Sequence, residues 1–135
     1  GYELNIAELP EEDRKKIPGQ VALYHRFHSL IANGDYYRIH SWNDGEPWDC
    51  WENVEKNASR ALLTYVQVLG RPYALSRNVK LEGLDAEAEY TVSLIRNGEE
   101  TQMEGSHFGD VLMKSGLWMP TLGDYQSCLF VIEKK

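Results

Sequence analysis

The stretch from Ser59 to Leu69 constrains the fold more than any other. Ala61, Leu63, Tyr65 and Leu69 alternate with Leu62, Val66 and Val68, so an extended segment here is apolar on both faces. Such a strand needs cover above and below and belongs at the centre of a layered structure. Shorter strand patterns surround it: Asp35 to Ser41, Trp48 to Val54, Val79 to Glu82, Glu89 to Arg96 and Asp124 to Glu133. Turn-rich Asn43-Asp44-Gly45-Glu46-Pro47 separates the first two. In Glu89 to Arg96, Tyr90, Val92 and Leu94 alternate with Thr91 and Ser93, which leaves one side wet. Glu99-Glu100 after Asn97-Gly98 reads as the solvated end of a hairpin.

The first third is different. Pro10 suits a first helical turn, and Glu11, Glu12 and Asp13 put negative charge at its dipole's positive end. Pro18-Gly19 predicts a kink, or a short helix followed by a second. From Gln20 to Ala32, Val21, Tyr24, His28 and Ile31 form an apolar stripe that Leu23, Phe27 and Leu30 widen. Asn33-Gly34 is the stop, with glycine expected in the left-handed conformation. Everything after Gly34 reads as β. The expected fold is mainly β: an antiparallel β-sandwich over 35–135, preceded by an N-terminal helical segment over 1–34. A sandwich of about 100 residues covers its own inner faces, so the helix's wide apolar face calls for another neighbour.

The sequence has 135 residues and a net charge of -7, and its longest basic block is Arg14-Lys15-Lys16. That charge disfavours a nucleic-acid partner. No apolar leader or membrane-length run is present, and a start at Gly1 is expected of an excised fragment of a cytoplasmic protein. Cys50 and Cys128 sit inside apolar strand patterns and are expected to stay free. His25 and His28 share a helix face without a CxxC or HExxH motif, so neither metal nor cofactor is expected.

Candidate chemistry is sparse. Asp110 and Asp124 each follow a glycine, but both read as turn or strand-entrance residues bonded to nearby amides. Trp42, Trp48 and Trp51 lie within ten residues and are candidate carbohydrate contacts, because indole rings offer apolar platforms to pyranose faces. Strand alternation puts Trp48 and Trp51 on opposite faces, which argues against one shared platform. Trp118 beside Met119-Pro120 reads as a packed edge; His40 and His107 have no obvious partner in the sequence and read as satisfied surface or turn histidines. His25 and His28 are expected to flank the buried stripe.

Tyr24 to Ile39 resembles the aromatic-basic helix and following G-D-[FY]-Y-R-[LI] strand of family 36 α-galactosidases. Ser59-Arg60-Ala61-Leu62, Val66-Gln67-Val68-Leu69 and Leu81-Glu82-Gly83-Leu84-Asp85 are similar to segments of that family's C-terminal β-domain. Phe108 to Leu117, and Gly123-Asp124-Tyr125-Gln126-Ser127 leading into Leu129 to Ile132, look like its closing strands. Gly1-Tyr2-Glu3-Leu4 is similar to the segment leaving the last strand of the catalytic barrel. The resemblance implies a three-part enzyme that hydrolyses terminal α-galactosides, such as melibiose and raffinose, with retention of configuration. It implies catalytic aspartates on barrel strands, and neither of those motifs occurs here, so no catalytic residue is carried over. Pro18 departs from the family's continuous helix. The implied role is a non-catalytic domain that carries the last barrel helix within its segment 1–34 and leans on the barrel through helix 20–32, with galactoside bound only by the full enzyme and a homo-oligomer as a candidate assembly. Two other readings stay open. One is a stand-alone carbohydrate-binding module using the tryptophans. The other is a fibronectin type III-like interaction domain, because Gly83 to Val92 resembles that fold's loop-to-strand segment with its corner tyrosine.

Overall fold

The computed structural model describes residues 3, 5–71 and 76–135. Gly1, Tyr2 and Leu4, the positions likened to a barrel exit, lie outside the described residues. Helix α1 spans Glu11–Arg14 and α2 spans Ile17–Asn33. The break falls at Lys15 and Lys16 rather than at Pro18, which occupies the first turn of α2. A proline there lacks an amide that would have no helical partner anyway, and the chain forms the short helix followed by a second that was one of the two expectations. Gly34 ends the helix with φ of -73°, and the expected left-handed cap is corrected. Glycine is required there for proximity: a Cβ would lie 2.6 Å from the Leu30 oxygen and 2.7 Å from the Val54 oxygen.

Among the described residues nine strands follow: β1 (Asp35–His40), β2 (Trp48–Val54), β3 (Arg60–Gln67), β4 (Asn78–Val79), β5 (Glu89–Arg96), β6 (Glu99–Gln102), β7 (His107–Phe108), β8 (Leu117–Trp118) and β9 (Gln126–Lys134). The main sheet is antiparallel in the order β1-β2-β3-β9-β5-β6, with β7 also paired to β5. β4 and β8 form a second, two-stranded sheet. As the twofold apolar pattern requires, β3 sits in mid-sheet between β2 and β9.

Its alternation divides two cores. Ala61, Leu63 and Tyr65 of β3 join Cys128, Phe130 and Ile132 of β9 and Tyr90 and Val92 of β5, under Val79, Leu81, Leu84, Leu117, Met119 and Leu122. On the opposite face, Leu62, Val131 and Ile95 receive Phe27 and Leu30 of α2. A helix, a large sheet and a small sheet with its loops thus make three layers.

The expectation that everything after Gly34 is β is corrected by a 3-10 turn at Trp42–Asp44 and by helix α3 (Gly109–Lys114). Phe108 to Leu117 is therefore a strand, a helical turn and a strand in succession. The chain passes so close to the 85–88 loop that a Cβ on Gly109 would stand 2.0 Å from the Asp85 oxygen. The Gly109 and Asp110 amides donate to Ala88 and Ala86 there. That docking starts a helix whose Leu112 plugs the core. β4 is shorter than its pattern suggested, because the Leu81 amide turns to the Leu112 carbonyl of α3.

Candidate functional site

Helix α2 carries two apolar stripes, and the sheet takes only one. Phe27 and Leu30 are buried, with Leu23 packed beside them. Tyr24 and Ile31 stay 54% and 46% exposed, with His25 and His28 also exposed. The expectation that these histidines flank a buried stripe is corrected: both ring-pack on Tyr24 on the open side. The orientation follows from volume, since Phe27 fits the hollow between Leu62, Val131 and Ile95. Arg26 reaches across to Glu100 of β6 at 2.5 Å, and it also lies over the Phe27 ring. Glu100 lies at the solvated end of the β5–β6 hairpin, as expected, and from there also tethers the helix. Beside the exposed stripe, a groove of about 330 Å³ opens between α2 and the sheet, walled by Leu23, Phe27, Ile31, Trp51, Leu62 and Leu129.

The three candidate tryptophans have separate surroundings. Trp48 stacks on His40, with centroids 3.7 Å apart and planes 7° apart, and the Arg77 guanidinium lies 4.4 Å from the same ring. The imidazole fills one ring face, so the guanidinium takes the other. His40 also bonds the Trp48 carbonyl through Nδ1 at 3.0 Å, so it is a satisfied histidine, as expected, with a partner that the sequence did not reveal. Trp51 points to the α2 side and lines the groove, with Arg38 5.9 Å from its ring. Trp42 sits on the 3-10 turn and is 48% exposed. Trp118 is exposed, and its neighbour Met119 does the packing.

Sequence reasoning missed Glu52. It is 0% exposed on the core face of β2, where Oε2 accepts the Glu82 amide at 2.9 Å and Oε1 has no partner among the described residues. Removal from water pushes its carboxyl up to about 8; the Glu82 amide opposes the shift and the Glu82 charge adds to it. Its signal was phase, because Trp48, Cys50, Glu52 and Val54 share one strand face. Cys50 and Cys128 both pair in register with Tyr65, so a strand separates them and both stay free. Burial raises both thiols, that of Cys128 to about 11.

The remaining candidates are tied to structure. Asp110 lies in the first turn of α3 and pairs with Lys114, where a turn or strand entrance was expected. Asp124 accepts the Gly70 amide at 2.6 Å. The two aspartates therefore serve different elements. The Tyr90 hydroxyl accepts the Asp85 amide at 2.9 Å and donates to the Ala58 carbonyl at 2.8 Å, a corner lock matching the loop-to-strand resemblance. Among the described residues, no three His, Cys, Asp or Glu side chains gather as a metal-ligand set.

Comparison with known proteins places this arrangement. Alpha-galactosidase 2 of Hypocrea jecorina is 32% identical over all 135 residues, which span 17% of its length. Alpha-galactosidase Mel36A of Lactobacillus acidophilus is 27% identical over 131 residues, with 96% of this chain and 16% of that protein covered. Two solved α-galactosidases superimpose on the whole chain. AgaB of Geobacillus stearothermophilus is 31% identical with a TM-score of 0.85, and 17% of that chain is covered. The Lactobacillus brevis enzyme is 26% identical with a TM-score of 0.86 and 18% covered. A family model described as the glycosyl hydrolase family 36 C-terminal domain matches residues 48–132. The chain belongs to the C-terminal domain family of glycosyl hydrolase family 36.

Proposed function

We propose that this chain is the non-catalytic support domain of a retaining α-galactosidase, held against a catalytic barrel through the outer stripe of α2. The observation that carries the reading is the uncovered pair Tyr24 and Ile31 beside the apolar groove. Exposed apolar area of this kind marks an interface, and a neighbouring domain of the same polypeptide is one partner that would cover it. The chain spans only 17% of its curated relative's length, so polypeptide is available to cover it. Retention calls for two carboxyl groups roughly 5 to 5.5 Å apart. Asp110 and Asp124 are committed to Lys114 and to the Gly70 amide, so in this reading the catalytic pair belongs to the barrel.

The test compares Tyr24→Glu/Ile31→Glu in this chain and in the full-length polypeptide. The isolated chain should lose no more than about 0.5 kcal/mol of stability, as at ordinary surface sites. The full-length enzyme should lose thermal stability and galactosidase activity together. Equal behaviour in the two settings would sink the reading, as would hydrolysis of p-nitrophenyl α-galactoside by the pure chain.

A further inference from the structure

From the surface around Trp42 we infer that the chain carries a shallow subsite for one pyranose ring of a neutral oligosaccharide. A depression of about 230 Å³ is lined by Trp42, Gly45, Glu46, Pro47 and Arg71. Its aromatic floor is held rigidly. The Ser41 hydroxyl accepts the Asn43 amide, the Asp44 carboxylate accepts the Ser41 amide, and Asp49 Oδ1 accepts the Trp42 amide at 3.1 Å. A tryptophan left half-exposed on a turn braced by three hydrogen bonds forgoes the burial that such a ring normally gains.

The rim determines the ligand class. Arg71 donates to Glu46 Oε1 at 3.2 Å and to the Gly45 carbonyl at 3.3 Å, which fixes the plane of its guanidinium. Among the described residues two of its five N–H donors are used, which leaves donors for a ligand beside the second carboxylate oxygen of Glu46. Paired donor and acceptor with cancelling charge suit vicinal hydroxyls better than a phosphate or a cation. One apolar ring face with a hydroxyl rim describes a pyranose. Trp48 cannot contribute, because His40 and Arg77 cover both of its faces.

Only the choice of an α-galactoside probe borrows from the proposed function. The experiment follows the four tryptophan indole N–H resonances of the ¹⁵N-labelled chain during titration with raffinose, maltotriose and sorbitol. Sorbitol offers hydroxyls without a ring face. The expected result is a saturable shift of the Trp42 indole with raffinose or maltotriose. Half-saturation should fall on the order of 1–10 mM, since one ring face and two polar groups bury little area. Trp48, Trp51 and Trp118 should stay in place and sorbitol should have no effect. Arg71→Met should weaken binding several-fold, and Trp42→Leu should abolish any response of a neighbouring Gly45 amide while the other three indoles keep their positions. A Trp42 resonance that stays still, or that moves equally with sorbitol, overturns the subsite. Barrel docking predicts no change at any indole, so a silent titration leaves that reading intact.

Discussion

Glu52 offers the sharpest quantitative prediction. Its carboxyl is fully buried and titrates near 8 when folded, against an ordinary value near 4.5. Below about pH 4.5 the group is neutral whether the chain is folded or not, and the stability it permits is fully present. Between about 4.5 and 8 the unfolded chain releases the proton and the folded chain keeps it, so stability falls as pH rises. The slope is about 1.4 kcal/mol per pH unit, which accumulates to roughly 5 kcal/mol by pH 8 and then levels off. That loss rivals the whole stability margin of many domains. Glu52→Gln mimics the neutral carboxyl, keeps an oxygen for the Glu82 amide and does not titrate. The variant and the parent chain should therefore be about equally stable near pH 4.5, and the variant ahead by about 3 kcal/mol at pH 7. Urea unfolding followed by far-UV circular dichroism across this range reads the difference directly, and other titrating groups cancel in the subtraction. A difference that stays flat with pH, or a parent chain that gains on the variant as pH rises, would refute the burial argument.

Phe27→Ala should cost about 3–5 kcal/mol, because it empties the hollow formed by Leu62, Ile95 and Val131; calorimetry should show the lowered Tm, with α2 amides losing hydrogen-exchange protection first. Tyr90→Phe removes the hydroxyl shared by the Asp85 amide and the Ala58 carbonyl, and should cost about 1–3 kcal/mol in urea unfolding with no change in the pH profile.

The antiparallel architecture was legible because period-two patterns are dense. Glu89 to Arg96 and Trp48 to Val54 match their observed strands residue for residue. Helix α3 escaped notice because six residues bury little more than Leu112, and its start depends on a close approach by the distant Asp85 backbone. No local pattern encodes such a contact. The orientation of α2 was likewise hidden, since Val21-Tyr24-Ile31 and Leu23-Phe27-Leu30 are both apolar and only the sheet's hollow discriminates between them. At the candidate sites, strand alternation separated Trp48 from Trp51. It could not show that His40 and Arg77 sandwich Trp48, because those partners come from two other segments.

The placement of β9 between β3 and β5 governs how the molecule assembles in time. Arg60 meets Glu133 and Gln67 meets Gln126, whereas β1-β2-β3 and β5-β6 are built from neighbouring segments. Two ribbons can form quickly and locally, but they share no ladder until a distant segment threads between them. Such loop closure is slow, and until it happens β3 and β5 present bare edges able to recruit another chain. Refolding should therefore be concentration-sensitive, with β9 as the clasp whose arrival ends the risk of aggregation.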